Sequence, residues 1–349
     1  MEGGVFACIR VIGGSALRGM ISAMDSLTLG NLRLDSPVLL APMAGYTDLP
    51  FRLCVRELGG LGLAFTEMLN PASLLHAKRS RTRDNLLATS PDDRPLGYQI
   101  YGLDPEIMAR GAKWLVERGA PLIDINMGCP QRKISGRGAG AGLLRTPEKA
   151  VEIARRVVEA AGVPVTVKLR LGWENSENAA ALARELEQAG VAAVTVHGRT
   201  REQGFSGKSD LDGIRRVSES VQTVPVIANG DVISVETAHE VLERTGCAGL
   251  MLGRQALKEP WVIRDIARDL GGQPPLPPPG PRERLDFMLK HFERMARLYG
   301  EEDAVFLFRK WTPQYLKGRA VPRPTLAAIQ KIEDAGELRE RLAEVMTGS

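Results

Sequence analysis

From Leu27 to about Leu270, apolar runs of four to six residues alternate with longer stretches of helical period. The runs are Val38–Pro42, Leu63–Glu67, Leu96–Ile100, Leu122–Asn126, Val163–Lys168, Ala192–His197, Val224–Asn229 and Gly249–Gly253, most of them rich in Val, Ile and Leu. Strands covered on both faces read this way, because neither face has to meet water. The stretches 49–58, 105–118, 147–161, 178–189, 211–218 and 235–244 are predicted helices. Asp104-Pro105-Glu106 and Thr146-Pro147-Glu148 set a capping side chain ahead of Pro in the first turn, and Gly119, Gly162, Gly190 and Gly246 follow helix ends. Eight strand–helix units predict an α/β fold, a (β/α)8 TIM barrel over residues 26–270. A doubly wound sheet would carry a glycine fingerprint directly after its first strand. Ala41-Pro42-Met43-Ala44-Gly45 is not one.

The character changes after the barrel. Residues 271–281 are rich in Pro and read as a stiff, extended linker. Residues 282–349 have helical period and no strand pattern, which predicts a small all-α domain tethered to the barrel. At the other end, residues 1–25 read as an appendage. Either an upstream start has been taken, with Met20 or Met24 as the natural one, or the segment is an organelle transit peptide.

Composition narrows the class. The chain of 349 residues has ordinary hydrophobic and charged content, and no apolar run long enough to span a membrane. Its four cysteines (Cys8, Cys54, Cys129 and Cys247) are far apart and form no CxxC pair, which argues against a disulfide framework or zinc site and fits a cytoplasmic location. With four histidines and no HExxH, no catalytic metal is expected. The net charge of +4 permits a nucleic-acid partner without demanding one.

In a barrel, chemistry gathers at the carboxyl ends of the strands. There the chain places Pro42, Met43 and Ala44, Gln99, Asn126 to Cys129, Lys168, His197 to Arg201, Asn229-Gly230-Asp231 and Gly253-Arg254. Cys129 sits where Gly and Pro stop a strand. A free thiol keeps its proton near neutral pH, so it can serve as an acid as well as a nucleophile. Glycines and Arg254 after the last two strands suit a phosphorylated ligand. Lys168 and Arg170 share a parity and face one side. A lysine pointing into the barrel mouth needs an anionic partner. Gly136–Gly142 is read as a mobile glycine-rich loop. Arg132, Lys133, Arg137, Arg170, Arg199, Arg201 and Lys208 make the rim strongly cationic, more so than one phosphate requires, which points to a polyanionic substrate. In the tail, Arg309-Lys310-Trp311 and Gln314–Arg319 run on to Arg323 without an acid. This suits RNA, with cations on phosphates and rings on bases, unless Trp311 and Tyr315 pack in the helical core.

Ala41–Asp48, Thr66-Glu67-Met68, Gln99–Gly102, Asn126-Met127-Gly128-Cys129-Pro130, Val167–Arg170, His197–Arg201 and Asn229-Gly230-Asp231 together resemble the tRNA-dihydrouridine synthases, over about Leu27 to Met346. The resemblance implies an FMN-bearing barrel that reduces the C5–C6 double bond of a uridine in tRNA, with NADPH recharging the flavin. It implies that Pro42, Met43, Ala44, Gln99, Lys168, His197, Asn229, Gly230, Asp231, Gly253 and Arg254 hold FMN. Cys129 would be the proton donor and Asn126 would lie against the uracil, with Arg170, Arg199 and Arg201 toward the RNA. tRNA is the expected partner and a monomer the expected state. The chain departs from the family pattern at Phe205 (commonly Tyr), near Leu211 (commonly Trp) and at Gly142 (commonly Ala). The rivals are an FMN barrel acting on a free pyrimidine and an RNA-binding protein whose barrel no longer catalyses.

Overall fold

Eight parallel strands form the centre: β3 (Val38–Leu40), β4 (Ala64–Phe65), β5 (Leu96–Ile100), β6 (Ile123–Met127), β7 (Val165–Arg170), β8 (Ala193–His197), β9 (Val226–Asn229) and β10 (Gly249–Leu252). Their order is β3-β10-β9-β8-β7-β6-β5-β4. The Leu40 N–H donates to the Leu63 carbonyl at 2.9 Å, so the two edges meet and the sheet closes into a barrel. The computed structural model describes residues 24–76, 80–175, 178–316 and 321–347. Residues 1–23, where most of the expected appendage falls, lie outside the described residues, as do Lys317 and Arg319 of the basic run.

A hairpin precedes the barrel: β1 (Leu27–Leu29) pairs antiparallel with β2 (Leu32–Leu34) across a turn at Gly30. Its Leu27, Leu29 and Leu34 pack with Leu39, Leu63, Leu122 and Ile227 of the barrel interior. The turn lies against Pro164 and Ala192, which lead into β7 and β8, so the hairpin covers the amino end of the barrel. Chemistry is left to the opposite, carboxyl end.

The predicted helices form, and the last barrel helix, Trp261–Leu270, leads to Gln273–Gly280, which has no regular structure. The helix Pro281–Tyr299 follows, then shorter helices to Thr347. These helices do not stand away from the barrel. Phe51, on the first barrel helix Leu49–Leu58, packs on Trp311 with ring centroids 4.7 Å apart. The Tyr299 hydroxyl donates to Asp48 at 2.8 Å, and Lys290 and Arg294 both reach Glu57. The tethered arrangement expected from the linker is thus replaced by a shared core. Composition reveals the break in the chain at the prolines, whereas the contact depends on residues more than two hundred positions apart.

Two local expectations change. Gly136–Gly142 is not a mobile loop: it follows the helical turn Arg132–Ser135 and enters a 3₁₀ helix at Gly140–Arg145 whose apolar residues are buried. β7 also runs past Lys168 to Arg170, because Arg170 still pairs with His197 of β8.

Candidate functional site

The carboxyl ends of the strands surround a cavity of about 800 Å³, within the usual range of small-molecule and cofactor sites. Every residue expected to hold FMN lines it, from Pro42, Met43, Ala44 and Gln99 through Lys168, His197, Asn229, Gly230 and Asp231 to Gly253 and Arg254. Cys129, Asn126 and Arg170 line the same space. Arg199 and Arg201 do not. Arg199 is buried, donating to both Asp231 oxygens at 2.9 and 2.7 Å and to the Ser206 and Gly207 carbonyls. Arg201 lies over the Trp173 ring, 4.5 Å from its centroid.

The Cys129 turn is built by its neighbours. Asn126 Oδ1 accepts from the N–H groups of Gly128 and Cys129 at 3.1 and 2.9 Å. Behind the turn, the Ala141 N–H donates to the Cys129 carbonyl at 3.1 Å. Gly140 packs close against it, and a Cβ there would lie 3.0 Å from that of Cys129. Arg170 braces the other side, donating to the carbonyls of Gly128, Thr200 and Gly204, each at 2.8 Å. Its guanidinium is therefore a strut as well as a charge. Burial pushes the Cys129 thiol above its ordinary range, against weaker downward pulls from the Gln131 N–H, Arg170 and Lys168. Near neutral pH the group is a thiol with a proton to give.

On the neighbouring strand, Lys168 Nζ donates to Asn229 Oδ1 at 2.9 Å, and Asn229 Nδ2 donates to the Met251 carbonyl at 2.7 Å. Burial, helped by the charge of Arg170, brings the Lys168 ammonium down to about 8. His197 is held far below its ordinary value, first by burial and then by the charges of Lys168, Arg170, Arg199 and Arg254, so it is neutral. The cavity wall is thus rich in fixed positive charge, and a ligand carrying negative charge answers it.

A phosphorylated flavin fits these residues. Asp231 has a positive φ of 55°, and its carboxylate accepts from the Ser209 N–H at 2.8 Å. The Ser209 hydroxyl is buried and has no partner among the described residues. A Cβ at Gly230 would come within 2.7 Å of it and 3.0 Å of the His197 ring, so only glycine leaves that corner open. The open backbone at Gly230 and Gly253 and the guanidinium of Arg254 at one end, with a desolvated Lys168 farther in, match a phosphate and an electron-rich ring system.

The cavity also has walls that the sequence left unassigned. Met68 comes from beyond the end of β4, a position that entered the sequence reading as part of the motif Thr66-Glu67-Met68 but without a role in the site. Phe205, noted only as a departure from the family pattern, is 53% exposed, with the Arg254 guanidinium 4.5 Å from its ring centroid. Pro313 and Gln314 come from the short tail helix Thr312–Tyr315, which no sequence signal tied to the barrel mouth. Trp311 and Tyr315 are buried, so their rings belong to the core and are not offered to bases.

Known proteins resemble this chain over most of its length. A "Probable tRNA-dihydrouridine synthase" of Rhodobacter capsulatus is 41% identical over 298 residues, covering 85% of this chain and 91% of the relative. The "tRNA-dihydrouridine synthase B" of Pseudomonas aeruginosa is 38% identical over 313 residues, covering 89% and 93%. Among solved structures, "TcOYE with pHBA" aligns with a TM-score of 0.51 at 12% identity, over 80% of this chain and 98% of that one. A 2-naphthoyl-CoA reductase aligns at 0.55 and 10%, over 73% of this chain and 53% of the longer enzyme. At such identities these two share the fold. The family description "Dihydrouridine synthase (Dus)" matches residues 39–347, a span that holds the barrel, its cavity and the packed helical tail, and the chain belongs to the dihydrouridine synthase family.

Proposed function

We propose that this chain is a tRNA-dihydrouridine synthase that binds FMN in the cavity and reduces the C5–C6 double bond of a uridine in tRNA, with NADPH as the electron source. The observation that carries the reading is a half-buried, protonated Cys129 facing the same cavity as Lys168, in a chain of this family. Bound flavin would supply the hydride that adds to C6 of the base. The protein's own part is to bind, orient and protonate. Gly230, Asp231, Gly253 and Arg254 would hold the phosphate, Gln99 and Lys168 the ring system, and Pro42, Met43 and Ala44 its edge. The Cys129 thiol would give its proton to C5, completing the addition. Asn126, whose oxygen is engaged by the turn and whose Nδ2 donates to Gln99 Oε1 at 2.8 Å and weakly to Met68 Sδ at 3.9 Å, would exchange the weak sulfur contact for a base carbonyl.

A stacked uridine cannot reach a cavity at the end of a barrel, so the base must be extruded into it. The exposed cations Arg132, Lys133 and Arg137 beside the Cys129 turn would meet the RNA backbone, and the helical tail would extend the grip through Lys310 and Arg323. Because Trp311 and Tyr315 are buried, this grip would be carried by charge rather than by ring stacking.

Cys129→Ala tests the reading. The variant is expected to keep its flavin and to lose about 10²-fold or more in the rate of tRNA reduction, the scale of a general acid. A wild-type rate would refute the proton-donor role.

A further inference from the structure

Beneath the cavity lies a carboxylate to which neither cofactor holding nor proton transfer gives a role. Asp124 on β6 is fully buried and stands in register with Gln99 of β5 and Thr166 of β7, so the three sit side by side across adjacent strands. Gln99 Nε2 donates to Asp124 Oδ2 at 2.7 Å, and the Thr166 hydroxyl donates to Oδ1 at 2.6 Å. Gln99 Oε1 then accepts from Asn126 Nδ2 at 2.8 Å, and Asn126 Oδ1 accepts from the Gly128 and Cys129 N–H groups. Burial raises the Asp124 carboxyl to about 6, so near neutral pH it is mostly ionised; an ionised carboxylate can only accept and a backbone N–H can only donate. The two amides between those ends can therefore take one orientation only, fixed from both ends.

We propose that Asp124 is a positioning residue for Cys129: by fixing the amides of Gln99 and Asn126 in series, its carboxylate holds the Gly128–Cys129 turn and leaves Asn126 only a donor toward the cavity. An asparagine at this position would remove the constraint. Its amide could turn its nitrogen to Gln99, Gln99 would reverse, and two NH₂ groups would then face each other at Asn126 unless Asn126 released the turn.

The kinetic consequence rests on the proposed role of Cys129, but the hold on the turn does not. The test therefore reads both, using the full-length, flavin-loaded enzyme. Asp124→Asn is expected to lower kcat for tRNA reduction by roughly 10–100-fold, the scale of a misplaced reacting group, with KM for tRNA within about twofold of wild type. It is also expected to raise the rate of Cys129 alkylation by iodoacetamide, followed by peptide mass spectrometry, by about fivefold as the turn loosens. The double variant Asp124→Asn with Gln99→Glu makes every bond again with one link reversed: the new amide on β6 donates to the new carboxylate on β5, and that carboxylate accepts from Asn126. Because Gln99 also faces the cofactor cavity, the double variant is read against Gln99→Glu alone, and it is expected to be alkylated about fivefold more slowly than that single variant. A folded double variant alkylated as fast as Gln99→Glu overturns the proposal, even if Asp124→Asn fails to fold. Wild-type kcat and alkylation in Asp124→Asn also overturn it. If Cys129→Ala kept full activity, the proton-donor role would fall while the alkylation result still decided the role of Asp124.

Discussion

Truncating Trp311 tests whether the helical tail and the barrel are one folded unit. The side chain has no exposed surface and contacts Phe51, Tyr46, His291 and Tyr315, with ring centroids 4.6 to 5.4 Å away. An aromatic ring of this size buries about 150–250 Å², and deleting one from a core typically costs about 3–5 kcal/mol. One correction runs the other way. The indole N–H is buried without a partner among the described residues, so its removal returns about 1–2 kcal/mol of desolvation already spent. Trp311→Ala should therefore lose about 1–4 kcal/mol, and Trp311→Phe, which keeps most of the ring and drops the orphan N–H, about 1 kcal/mol or less. Equilibrium urea unfolding followed by circular dichroism measures both. A single transition is expected, shifted as a whole, because Trp311 bridges Phe51 of the barrel and His291 of the tail. A loss below about 1 kcal/mol in Trp311→Ala, or a tail that melts first and leaves the barrel intact, would refute the shared core.

Two further predictions concern the cavity. Lysine carries its charge below its pKa, so if the Lys168 ammonium draws FMN in, affinity measured by fluorescence titration of flavin-stripped protein should fall as pH rises above about 8, by up to about tenfold per unit. Lys168→Met should bind more weakly and be flat over that window; a wild-type profile equally flat would contradict the assignment. Gly140 has a φ of 56°, and an added Cβ would stand 3.1 Å from the Cys129 carbonyl oxygen as well as close to its Cβ. Gly140→Ala should cost about 1–2 kcal/mol in thermal unfolding and lower kcat by roughly tenfold or more with flavin retained, whereas wild-type turnover would mean that the turn tolerates displacement.

Most of the barrel was legible because its strands are covered on both faces, so that each appears as a short apolar run closed by Gly, Pro or a polar residue. The hairpin was missed: Leu-Thr-Leu and Leu-Arg-Leu alternate on either side of Gly30-Asn31, but the pattern is too short to stand out beside longer runs. The cavity residues were found because a barrel sends strand ends to one place. What stayed hidden were side-chain destinations. Arg199 and Arg170 look like free cations in the sequence, yet one is sunk against Asp231 and the other is bonded to three carbonyls. Trp311 lies in a basic run but turns into the core, and Gln314 reaches the cavity from the tail. The glycines of Gly136–Gly142 suggested freedom, whereas Gly140 and Gly142 are there for close packing, a Cβ at Gly142 falling 2.6 Å from the Ser135 carbonyl. Composition shows which residues can move or bind; only the fold shows which have already been used.

The most direct measurement is the mass of a tRNA. Purified protein, loaded with FMN and given NADPH, is incubated with an unmodified tRNA transcript, and the nucleosides are then analysed by mass spectrometry. The proposed function predicts a uridine that has gained two hydrogens, with Cys129→Ala giving almost none. A flavin-loaded protein that consumes NADPH and leaves every uridine at its original mass would contradict it.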